Sequence, residues 1–113
     1  MRRLEDKLQI NCTKWLRLQH PSVLFNHSPN GGYRTKAEGG IFKAMGVLAG
    51  YPDLEILRAS NGFHALFIEF KSPTGRLSES QKEFWKRAVA EGYAYMVIRS
   101  FDEFMKTVNE YLR

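Results

Sequence analysis

Apolar residues recur at Leu4, Leu8, Cys12, Trp15 and Leu18. That spacing lays them along one stripe of a helix from Arg2 to about Gln19, and Pro21 ends it. Ser22 to Asn26 then reads as a short buried strand that runs into His27-Ser28-Pro29-Asn30-Gly31-Gly32, which is turn chemistry throughout. Lys36 to Ala49 has Ile41, Met45 and Leu48 at helical spacing but contains Gly39, Gly40 and Gly46, so it predicts a weaker helix. After Gly50-Tyr51-Pro52 comes a strand, Asp53 to Leu57, and Asn61-Gly62 is the turn that joins it to an antiparallel neighbour. The neighbour, Phe63 to Lys71, has Phe63, Ala65 and Phe67 on one face and Leu66, Ile68 and Phe70 on the other, the mark of a central strand.

Ser78-Glu79-Ser80-Gln81 has the spacing of a capping box. The helix it opens directs Leu77, Gln81, Phe84 or Trp85, Ala88 and Val89 inward and stops near Gly92. Tyr93 to Ile98 is a further strand, and a last helix after Ser100 carries Phe101, Phe104, Met105, Val108 and Leu112 on one stripe. The order is α-β-α-β-β-α-β-α, an α/β fold with a central mixed sheet flanked by helices. Trp15 and Trp85 are expected in the core, and Cys12 is expected to be a small buried hydrophobe.

The 113 residues suffice for one compact domain spanning 1–113, and with 43% hydrophobic residues disorder is a poor reading. A single cysteine cannot form an internal bridge, so a reducing, cytoplasmic setting is expected. No apolar run approaches a membrane span, and no secretory signal opens the chain, which reads as a mature soluble protein. Net charge is +5, with eight Lys/Arg against three Asp/Glu up to Gly50 and nine against nine after it. A one-sided phosphate-binding surface leaves such an asymmetry, although many basic proteins bind no nucleic acid.

Glu69 and Lys71 interrupt the most apolar strand, two apart and therefore on one face, with Phe70 opposite. One reading is a surface pair where the strand reaches solvent. The other follows from the hairpin: the start of the first strand lies beside the end of the second, which brings Asp53 close to Glu69 and Lys71. Two converging carboxylates repel unless a cation lies between them, and hard oxygen ligands suit Mg²⁺ or Mn²⁺. The Phe70 main-chain carbonyl offers a third oxygen. A lysine alongside completes equipment for phosphodiester hydrolysis: Lewis acid, activated water and charge neutralisation. His27 and His64 lack a second ligand at helpful spacing and read as ordinary turn and strand residues.

Pro52-Asp53 and Glu69-Phe70-Lys71, with fifteen residues between Asp53 and Glu69, resemble the PD-(D/E)xK signature of the restriction-endonuclease-like superfamily. Gly50-Tyr51-Pro52-Asp53-Leu54, Phe67 to Lys71, Gly75-Arg76-Leu77-Ser78, and Gln81 followed by Gly92 more narrowly resemble the VRR-NUC domain, the virus-type replication-repair nuclease module. Tyr51 departs from the valine more usual there and is expected to pack beside the site. The resemblance implies a restriction-endonuclease-like core, with Asp53 and Glu69 as metal ligands and Lys71 acting on the attacking water or the scissile phosphate. Gln81 would sit over the site from its helix, a role compatible with its place in the capping box. Glu5 matches the family's N-terminal helix glutamate near the metal, although the helix dipole favours a glutamate there anyway. Arg34, Lys36, Lys43 and Arg76 are candidates for phosphate contacts.

The expectation is a Mg²⁺- or Mn²⁺-dependent, structure-specific DNA endonuclease. Stand-alone modules of this family resemble homodimeric junction-resolving enzymes, which implies a Holliday junction resolvase of phage or prophage origin, with branched DNA and a second copy as partners. The first or last helix would supply the apolar stripe for the dimer. The alternatives are a nuclease for flaps, nicks or duplex, and a non-catalytic nucleic-acid-binding module in which Glu69 and Lys71 form a structural pair.

Overall fold

The computed structural model describes residues 3–29 and 35–113. Among the described residues four helices and four strands follow in the expected order: α1 (Arg3–Gln19), β1 (Phe25–His27), α2 (Lys36–Ala44), β2 (Leu54–Ile56), β3 (Leu66–Phe70), α3 (Glu79–Ala90), β4 (Ala94–Ile98) and α4 (Phe101–Tyr111). The strands form one sheet in the order β1-β2-β3-β4. β1 and β3 each run antiparallel to β2, and β4 runs parallel to β3. A parallel pair needs a crossover, which α3 provides.

Alternation along the strands divides the core between the two faces of the sheet. Leu54, Ile56, Leu66, Ile68, Phe70 and Ile98 pack with Cys12 and Leu16 of α1 and with Phe104, Val108 and Tyr111 of α4. Each fully buried aliphatic or Phe side chain contributes about 1.5–3 kcal/mol. The opposite face is aromatic, with Phe67 and Tyr95 against Phe84 and Ala88 of α3. All of β3 is buried, as a central strand requires.

Several details differ from the sequence pattern. On α1 the buried line is Cys12 and Leu16, with Leu8 and Trp15 packed beside it, while Leu4 and Leu18 face solvent. The helix is turned so that it can meet α4. β1 starts three residues later than expected and is an exposed edge strand, because it pairs on one side only; Val23, just ahead of it, enters the core instead. α2 stops at Ala44 and buries no residue, so Ile41, Met45 and Leu48 are exposed. A capping box of Thr35 and Glu38, absent from the sequence reading, starts it. Trp85 and Val89 lie outside the core, Trp85 stacking its ring on Tyr95 at 5.0 Å. Tyr111 replaces Phe101 on the buried side of α4. Phe63 lies ahead of β3, in a Ser60–Phe63 bridge closed by the Asn61-Gly62 turn. Among the described residues no helix is long and apolar enough to cross a membrane.

Candidate active site

The β2–β3 register pairs Leu54 with Ile68 and Glu55 with Phe67. One step further along sets Asp53 opposite Glu69, where cross-strand Cβ atoms lie about 5 Å apart. Among the described residues these two are the buried charged side chains, at 6% and 1% exposure. Burial makes two like charges in such proximity costly without compensation.

Each carboxylate is held. Asp53 Oδ2 accepts the main-chain N–H of Phe70 at 2.8 Å, which ties the start of β2 to the end of β3. Glu69 Oε2 accepts from Gln81 Nε2 at 3.1 Å. Gln81 also completes the capping box: its Oε1 accepts the Ser78 N–H at 2.8 Å and its own N–H bonds Ser78 Oγ. Its two ends therefore serve both roles that the sequence left open. Lys71 follows β3, on the face of Glu69 by alternation; it is half-buried and anchored through its N–H to the Ile98 carbonyl at 3.0 Å. Among the described residues its ammonium makes no ion pair. A Glu69–Lys71 surface pair is thus absent among the described residues: the glutamate is buried and the lysine makes no ion pair.

The remaining candidates spread outward. Glu5, in the first turn of α1, sets Oε2 at 3.4 Å from the Ser72 N–H, one residue beyond Lys71. Among the described residues no three His, Cys, Asp or Glu side chains gather as a metal-holding group. The convergent acidic donors are therefore Asp53 and Glu69, two hard oxygen ligands of the kind a divalent cation takes, beside the Phe70 main chain. Lys36 and Lys43 lie exposed on α2, and Arg76 is exposed in the loop after β3. Arg34 lies outside the described residues.

Four neighbours carried no sequence signal. His27, at the end of β1, sets Nδ1 at 2.6 Å from the Asp53 main-chain carbonyl; the carbonyl only accepts, so Nδ1 bears the proton. Gln9 of α1 brings its Nε2 within 2.9 Å of the same nitrogen, so helix, edge strand and Asp53 main chain meet at this ring. Arg99 Nη1 donates to the Ser72 and Gly75 carbonyls, both at 2.7 Å, and pins the loop that follows Lys71. Tyr95 projects from β4 beside Phe67; burial first, then the Glu69 and Asp53 carboxylates, push its phenol above the usual tyrosine range. Tyr51 packs beside the site as expected, against Phe67 and Phe84, and also donates to Glu55 Oε2 at 2.6 Å. Burial and that bond raise its pKa as well.

A close approach fixes the two halves of the site relative to each other. Gly50 has φ +78°, and a Cβ there would collide with the Ser80 carbonyl at the start of α3. Only glycine lets the chain leading to Asp53 pass so near the helix that carries Gln81. On the other side, a groove of about 920 Å³ opens between α1 and β1 and ends at Asp53.

Comparison with known proteins agrees with this fold. Residues 3–102 match the family model described as the VRR-NUC domain. A solved structure titled "VRR_NUC domain protein" is similar to the chain at a TM-score of 0.83 and 31% identity, covering 96% of this chain and 88% of the other. Among curated proteins none matches significantly. The match spans most of the chain, so the chain belongs to the VRR-NUC domain family of nucleases.

Proposed function

We propose that residues 1–113 form one Mg²⁺- or Mn²⁺-dependent, structure-specific DNA endonuclease domain, acting in the cytoplasm as a homodimeric resolvase of Holliday junctions, of phage or prophage origin. The observation that carries the reading is the pair of buried carboxylates, Asp53 just ahead of β2 and Glu69 in β3, set opposite each other by the strand register, with Lys71 two residues after Glu69. A structural role alone leaves this arrangement without a purpose, since an apolar pair at the same positions would be more stable.

Asp53, Glu69 and the Phe70 carbonyl would hold the divalent cation, which supplies a Lewis acid and neutralises charge on the phosphate. The protein's own contribution is placement. The Phe70 N–H fixes Asp53 from one side, and the His27 imidazole fixes its main chain from the other. Gln81 orients Glu69. Lys71 offers ammonium donors to the phosphate oxygen that gains negative charge, or to the attacking water. Glu5, beside Ser72, is an outer carboxylate of the same end of the sheet. Arg34, Lys36, Lys43 and Arg76 are proposed to meet the phosphate backbone away from the cut.

Symmetry supports the dimer, because one centre cuts one strand and a twofold pair presents two centres to a branched substrate. α4 turns most of its apolar stripe to the core, while Leu4 and Leu18 of α1, like Ile41, Met45 and Leu48, are exposed and offer the apolar surface for it. The test is a cleavage panel of four-way junctions, flaps, single strands and duplex with Mg²⁺ and Mn²⁺, alongside sedimentation. Preferential, symmetric cleavage of junctions by a dimer is expected. Preference for flaps or duplex overturns the resolvase assignment, a strict monomer overturns paired cutting, and no cleavage with any divalent metal overturns the enzyme reading in favour of a binding module.

A further inference from the structure

Beside its core-facing stripe, α1 carries a second one. Gln9, Thr13 and Arg17 recur at helical spacing along one wall of the groove; Phe25 and His27 of β1 stand on the other, and Asp53 closes one end. Arg17 occupies the far end, with its guanidinium 5.3 Å from the centre of the Phe25 ring. Among the described residues it makes no hydrogen bond or ion pair. A guanidinium laid on an aromatic ring has its plane set by the stack, while the N–H donors along its edge remain unspent. Such an edge matches two oxygens of one phosphate.

The two ends differ in charge as a nuclease subsite requires. At the acidic end the Gln9–His27 contact leads to the main-chain carbonyl of Asp53, and Asp6 and Asp53 line the groove there. From Gln9 to Arg17 is about 12 Å along the helix axis. At roughly 3.4 Å per phosphate in a stacked strand, that is a span of a few nucleotides. Ile10, half exposed on the same wall, gives sugar and base an apolar surface. Helix and edge strand wall the groove on both sides, and its volume of about 920 Å³ suits a few nucleotides of one strand rather than the full girth of a duplex.

We propose that the groove between α1 and β1 is a subsite for a single nucleic-acid strand, in which Arg17 on its Phe25 platform takes a phosphate a few nucleotides from the one at Asp53. This rests on the nuclease reading for its acidic end.

The test measures binding of a labelled single-stranded oligonucleotide, and of the matching duplex, by fluorescence anisotropy in EDTA over a range of salt; Mn²⁺-dependent cleavage is assayed separately. Arg17→Ala should bind the single strand about 10-fold more weakly, with a salt slope lower by about 0.7, the loss of one phosphate contact. Arg17→Lys should keep the slope and lose a few-fold in affinity, because charge remains and the fork does not. Phe25→Leu, which keeps the packing and removes the ring, should resemble Arg17→Lys. Lys106→Ala, removing one exposed charge from α4, should bind as the parent does, and unchanged melting temperatures will show that each variant is folded.

Arg17→Ala binding like Lys106→Ala overturns the subsite, and if the parent still cuts, the nuclease reading stands without it. An equal loss for duplex overturns the single-strand assignment. A parent whose binding depends on Arg17 but which never cuts keeps the subsite and overturns the nuclease reading. A parent that binds no strand overturns the subsite outright.

Discussion

Gly50 and Gly62 form a matched pair for testing how the site is held. Both have positive φ, +78° and +85°. Around Gly62, in the turn with Asn61, there is open space, whereas a Cβ on Gly50 would strike the main chain of Ser80. Gly62→Ala therefore pays only the left-handed backbone penalty, about 1–2 kcal/mol. Gly50→Ala adds to the same penalty a collision with the first turn of α3, which cannot yield as a side chain would. Overpacking of this kind adds about 1–3 kcal/mol, for a total of about 2–5 kcal/mol. Urea unfolding of the two variants measures the difference directly, with an unchanged m-value showing that the same transition is being followed. Function should separate them further. Gly50 lies three residues before Asp53 and Ser80 lies next to Gln81, so pushing these segments apart displaces two site residues, while Gly62→Ala leaves them in place. Gly50→Ala no less stable and no less active than Gly62→Ala would refute the claim that this approach sets the geometry.

Gln81 and Ser78 share one capping box, but Gln81 alone reaches Glu69. Ser78→Ala should cost about 1 kcal/mol of stability and leave most cleavage; Gln81→Ala should cost a similar amount and lower cleavage by about 10- to 100-fold, read from initial rates at matched folded concentration. High pH should destabilise the fold. Burial pushes the Cys12 thiol up to about 12 from 9.0, and Tyr51 and Tyr95 are raised from 10.0 by burial, then by their neighbouring carboxylates. The folded state keeps these protons while the unfolded chain gives them up, so stability is full below about pH 9 and falls as pH rises above it. Urea titrations toward pH 11 should show the decline, and Tyr95→Phe should make it shallower.

How much of this was legible beforehand depended on whether local chemistry or distant packing decided. β3 announced itself because a central strand must be apolar on both faces, and Asn61-Gly62 supplied the positive-φ turn that sets its partner. With that hairpin, Asp53 opposite Glu69 followed from register alone. Ser78 and Gln81 capped α3 because the box is local. The rotation of α1 was hidden: a helical period admits Leu16 or Leu18 as the inward residue, and contact with α4 chooses Leu16. β1 slipped toward His27 because pairing with β2, rather than its own apolar run, defines it. His27 and Arg99 gave no signal, since a lone imidazole or guanidinium acquires meaning only from the carbonyls the fold brings to it, those of Asp53, Ser72 and Gly75.

The central claim, that Asp53 and Glu69 together hold a divalent cation for phosphodiester hydrolysis, is tested most directly by calorimetric titration of Mn²⁺ into the wild type and into Asp53→Asn and Glu69→Gln. Both replacements preserve shape: asparagine keeps an oxygen for the Phe70 N–H, and glutamine keeps one for Gln81. The account predicts saturable Mn²⁺ binding by the wild type and its loss in each variant, with all three proteins folded. Equal Mn²⁺ binding by wild type and variants would contradict it.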